Sequence, residues 1–71
     1  MPRKGEILPR APVGRIMEKA GAERISASAI NELSEILTHK AEQISERAIK
    51  IAHHSGRKTV RGDDIKLANK Y

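Results

Sequence analysis

The sequence predicts an all-α fold in which one long helix stands between two short ones. Apolar residues recur at steps of three or four from Ile30 to Ile51, the spacing of one helix face. No glycine or proline interrupts residues 22–55. Gly21 and Gly56 stand where left-handed caps would close two helices.

Residues 1–10 hold Pro2, Gly5 and Pro9 without an apolar period, and read as a short basic arm preceding one domain, residues 11–71. The first helix is expected to open at Pro12, a residue suited to the first helical position. Val13, Ile16, Met17 and Ala20 follow at helical spacing, and Gly21 ends it. Gly14 weakens this helix by up to ~1 kcal/mol, so it needs tertiary support. Residues 22–25 connect to Ser26, a good N-cap that lacks a capping-box partner because Ala29 occupies the third position.

The long helix is predicted over Ala27–Ser55. Its stripe is Ile30, Leu33, Leu37, Ala41, Ile44, Ala48 and Ile51, widened by Ala29, Ile36 and Ala52. A second connector follows Gly56. Gly62-Asp63-Asp64 then opens the third helix, with carboxylates at the positive end of its dipole. Ile65 and Ala68 share one of its faces, with Leu67 beside them.

The predicted long helix would span roughly 43 Å, whereas a compact globule of this length has a radius of gyration of only about 11 Å. Two short helices cannot cover so long a stripe. With no cysteine, disulfides and thiolate metal sites are excluded, which leaves oligomerisation as the staple that a 71-residue chain needs. The expectation is an obligate dimer in which two long helices cross through a core of Ile30, Leu33, Leu37, Ala41, Ile44 and Ala48.

The net charge of +5 is placed at the ends. Residues 1–19 carry +3, residues 20–56 carry −1 and residues 57–71 carry +3, so a polyanionic partner would meet the two ends. No apolar run approaches the ~18 residues of a membrane span, and the chain reads as soluble and intracellular. His53 and His54 are adjacent and point about 100° apart on a helix, with His39 four turns away, so no metal site is expected. No nucleophile–base cluster is visible either. The sequence gives no reason to expect an enzyme, a cofactor or a small-molecule substrate.

The stretch Ala11-Pro12-Val13-Gly14-Arg15-Ile16, then Ala20-Gly21-Ala22-Glu23-Arg24-Ile25-Ser26, then Ala48-Ile49-Lys50 resembles archaeal histones. So does His54-Ser55-Gly56-Arg57-Lys58-Thr59-Val60, followed by Asp64-Ile65 and Leu67-Ala68. The likeness runs from about Leu8 to Ala68. It implies the histone fold as an intertwined handshake dimer, formed with itself or a histone paralogue. Such dimers bind double-stranded DNA without sequence specificity, wrap it and stack into larger assemblies on the chromosome, the cytoplasmic nucleoid.

By this resemblance Arg15 inserts into an inward-facing minor groove. The first connector of one protomer lies beside the second connector of the other, so that Arg24 enters a groove with Thr59 holding its side chain. Main-chain N–H groups of Ile25, Ser26, Thr59 and Val60 reach phosphates. Lys58 and Arg61 neutralise phosphate without reading sequence. Arg57 and Asp64 form an internal ion pair that clamps the second connector. Ile51, His54 and Asp64 form the dimer–dimer contact, and Gly21 lets neighbouring superhelical turns pack closely.

Three features depart from the family pattern. Lys40 stands on the stripe near the middle of the long helix, where the family has an apolar residue. Arg10 replaces an aliphatic residue and adds a candidate phosphate contact. The arm is longer than usual. The alternative reading is a histone-fold protein-interaction component of a transcription-factor-like complex. The joint presence of Arg15, Arg24, Lys58 and Thr59 argues against it, because such modules lose the DNA set without losing the fold.

Overall fold

A computed structural model describes residues 8–70; the expected arm residues 1–7, with Arg3 and Lys4, lie outside the described residues. Three helices follow in order: α1 (Arg10–Lys19), α2 (Ala27–His54) and α3 (Gly62–Asn69). No strand occurs among the described residues. α2 has 28 residues, a length of roughly 42 Å.

The helix ends follow local chemistry. Gly21 has φ 111° and Gly56 has φ 72°, the left-handed region that favours glycine. At each, a pair of backbone bonds closes the helix. The Gly21 N–H donates to the Glu18 carbonyl and the Ala22 N–H to that of Met17; the Gly56 N–H donates to His53 and the Arg57 N–H to Ala52. Both are Schellman motifs. At the start of α2 the Ala29 N–H donates to Ser26 Oγ at 3.1 Å, a side-chain N-cap.

Two boundaries differ from the sequence expectation. α1 begins at Arg10, two residues before Pro12, with Pro9 as its extended N-cap. Pro12 fits there because first-turn N–H groups have no acceptor within the helix. α2 ends at His54, and Ser55 is the capping residue rather than the last helical one.

The chain forms two compact units that divide between His39 and Lys40, within α2. In the first, Val13 and Gly14 of α1 are buried. A Cβ on Gly14 would stand 3.6 Å from Ile30 Cδ1, which shows how closely α1 approaches α2. Ser34 (1% exposed) and Thr38 are also buried, and neither hydroxyl has a hydrogen-bond partner among the described residues. A buried hydroxyl without a partner costs about 1–3 kcal/mol. Ser34→Ala is therefore expected to stabilise the protein by about 1 kcal/mol, read as a higher denaturation midpoint at constant slope.

In the second unit the core is made of small residues: Ala48, Ala52 and Ala68 are buried together with Asp64. Small side chains let α3 lie close along α2. Ala48, expected in the dimer core, is thus already buried within its own chain. Ile30, Leu33, Leu37 and Ile44 are only half-buried, and Ala41 is exposed. Ile16, Ile36, Ile49, Ile65 and Leu67 are exposed as well.

Candidate nucleic-acid interface

The second connector is shaped by one arginine. Gly56 turns the chain out of α2, and Arg57 then reaches back over the loop. Its guanidinium donates to Asp64 Oδ2 and Oδ1, both at 2.8 Å, and to the Thr59 carbonyl at 3.1 Å. Asp64 is 3% exposed and also accepts from the Arg61 N–H at 2.8 Å. It occupies the third position of α3, so its carboxylate makes half of a capping box with the N-cap residue Arg61. One carboxylate therefore ties the loop to the start of α3, and one guanidinium fixes the carbonyl of Thr59.

The electrostatics follow from these contacts. The Arg57 hydrogen bond, with the Arg61 N–H second, holds the Asp64 carboxyl at about 2, below its ordinary 3.8, against the opposing effect of burial. The same hydrogen bond raises the Arg57 guanidinium. The folded value lies below the unfolded one, so the clamp's contribution is complete above pH 3.8 and is lost as pH falls through about 2. Thermal midpoints of the wild type and Asp64→Asn should differ widely at neutral pH and converge towards about pH 2. A gap independent of pH would contradict this account.

The loop exposes what the clamp does not use. Lys58, Thr59, Val60 and Arg61 are all exposed. In the other unit Arg10, Arg15 and Arg24 are exposed and Ile25 is half-buried. Among the described residues Arg15, Arg24 and Lys58 make no hydrogen bond or ion pair through their side chains. The backbone N–H groups of Ile25, Ser26, Thr59 and Val60 have no acceptor among the described residues. The Ser26 hydroxyl accepts from the Ala29 N–H and lies 3.0 Å from Ser28 Oγ. Each connector thus presents cations and main-chain donors, the combination that engages phosphate oxygens. The two sets belong to different units.

Ile51 is half-buried and His54 is exposed, and His54 lines an open recess of about 310 Å³ with Lys50 and His53. No group of His, Asp or Glu able to hold a metal ion occurs among the described residues. Two features go beyond the expectations drawn from the sequence. The bond from Arg57 to the Thr59 carbonyl carries no sequence signal. The Asp64 cap does, since a carboxylate three residues after an N-cap is a readable pattern.

Residues 7–68 match the family described as "Histone-like transcription factor (CBF/NF-Y) and archaeal histone". The chain belongs to this family. It is 46% identical over 63 residues to one of the subunits of archaeal histone HAN1 from Thermococcus zilligii, spanning 89% of this chain and 94% of that protein. It is 43% identical over 61 residues to "Probable archaeal histone 3" of Methanocaldococcus jannaschii, spanning 86% and 91%. "DNA-binding protein HmvA" of the same organism is 40% identical over 60 residues, which is 84% of this chain and 62% of that protein. The order of α1, α2 and α3 is the short–long–short arrangement of the histone fold. No helix among the described residues of this histone-family chain is long and apolar enough to cross a membrane.

Proposed function

We propose that the protein binds double-stranded DNA without sequence preference and wraps it as a chromatin protein, using handshake dimers that stack into longer assemblies. The observation that carries this reading is the set of exposed cations and main-chain donors on α1 and both connectors, without partners among the described residues, in a chain of the histone family. Two relatives named as archaeal histones and one named as DNA-binding support it.

The dimer is supported by what one chain leaves uncovered. Leu33, Leu37 and Ile44 are half-buried, Ile36 and Ala41 are exposed, and α2 is too long for α1 and α3 to enclose. A crossing α2 from a second protomer covers this face. It also brings the first connector of one protomer beside the second connector of the other. Arg24 then enters a minor groove with Thr59 alongside, and Arg15 enters another. The N–H groups of Ile25, Ser26, Thr59 and Val60 hold phosphates, and Arg10, Lys58 and Arg61 neutralise charge. Arg57 and Asp64 keep the second connector in the required shape. Ile51 and His54, with Asp64 beneath the loop, form the stacking surface between dimers, and Gly21 allows close approach of successive turns. The proposal assigns the protein no reaction and no cofactor. It places the protein on the chromosome in the cytoplasm, with the folded domain beginning at α1, one residue earlier than the sequence predicts, and a basic arm before it.

Electrophoretic shift with duplexes of unrelated sequence tests this reading. All should be retained at similar protein concentrations, with affinity falling steeply as salt rises. Retention of none of them would overturn the DNA reading and favour the protein-interaction alternative.

A further inference from the structure

The middle of α2 is its longest fully exposed run: His39, Lys40, Ala41, Glu42 and Gln43 are all open. Lys40 follows Leu37 by three residues and precedes Ile44 by four, which puts it on the face carrying the apolar stripe. It is a cation at the centre of a face that the chain itself leaves open. The carboxylates of α2 cannot answer it. Glu32, Glu35, Glu42 and Glu46 all lie more than roughly 130° around the helix from Leu37, and no carboxylate comes within ion-pair reach of Lys40 among the described residues. Beside Lys40 is a recess of about 230 Å³, lined also by Gln43, Ile44, Arg47 and Asn69. The side-chain groups of Lys40, Gln43 and Asn69 supply donors there, so the recess suits a carboxylate.

Symmetry turns this into a choice of partner. When two identical helices cross on a two-fold axis, the residues at the crossing meet their own copies. Lys40 and Ala41 are the central pair of Ala27–His54. A second copy of this chain therefore brings a second Lys40 and no α2 carboxylate. We propose that Lys40 is a partner-selecting residue. It disfavours pairing of two identical chains and favours a histone-fold partner that carries a carboxylate at the midpoint of its long helix. This inference rests on the handshake dimer proposed above.

Native mass spectrometry of the full-length chain tests it, with isotope-labelled wild type equilibrated against Lys40→Glu as the acidic stand-in. At equal amounts of the two chains the ratio of mixed dimer to self-dimers should exceed its statistical value by at least about tenfold, and the excess should shrink as salt rises. Lys40→Met, which removes the charge and keeps an unbranched chain, should form self-dimers at about tenfold lower concentration than the wild type. Statistical mixing, with a Lys40→Met dimer no tighter than the wild type, would overturn the assignment. Absence of any dimer, mixed or self, would overturn the handshake reading itself and this inference with it.

Discussion

Arg15→Ala combined with Arg24→Ala should weaken DNA binding on the order of a thousandfold, equally for all duplex sequences. Each dimer loses four guanidinium groups. At roughly 1 kcal/mol per contact, the loss is about 4 kcal/mol. The fold should not suffer, because both residues are exposed and make no side-chain hydrogen bond or ion pair among the described residues. Counterion release supplies a second signature. Each lost phosphate-neutralising contact lowers the slope of log K against log salt by about 0.9, so the double variant should be flatter by about 3 to 4. Arginine in a narrow groove reads shape and potential rather than base identity, which makes the loss uniform. Selective loss of one sequence would indicate direct base readout and contradict the mechanism. Fluorescence-anisotropy titrations at several salt concentrations measure both quantities.

Ile51→Glu should separate folding of the dimer from assembly on DNA. Ile51 is half-buried near the end of α2, one turn from exposed His54. These positions lie away from the helix midpoint, where two long helices cross. A carboxylate on both faces of a stacking contact is repelled and desolvated at once, which costs several kcal/mol. The variant should stay helical and bind short duplexes. On long DNA, nuclease digestion should give single-dimer footprints where the wild type gives an extended ladder. A ladder unchanged from wild type would remove this surface from the stacking interface. Asp64 is a poorer probe, because Arg57 and the Arg61 N–H already engage it and its loss would release the whole loop.

Periodicity made most of the fold legible. The stripe from Ile30 to Ile51 located α2, and Gly21 and Gly56 marked the two caps because only a positive φ closes a helix in that way. The start of α1 was harder. Pro9 and Pro12 both suit a first turn, and proline alone does not say which of them is the cap. The buried Ser34 and Thr38 were invisible to a search for apolar spacing, since both side chains are polar. At the candidate interface, residue types and connector positions were readable from the family resemblance. The bond from Arg57 to the Thr59 carbonyl was not, because it depends on how the loop folds back after Gly56. Lys40 was legible only as an anomaly. Its meaning depends on the bare middle of α2, which no sequence pattern displays.

The central claim is that the protein wraps DNA rather than merely coating it. Wrapping changes writhe, and a closed circle relaxed by a topoisomerase while protein is bound keeps the compensating change after the protein is removed. The linking number of such a plasmid, read as a topoisomer distribution on a gel, tests the claim most directly. The account predicts a shift that grows with bound protein until the plasmid is covered, and that is lost in the Arg15→Ala, Arg24→Ala variant. An unchanged linking number at saturating occupancy would contradict it.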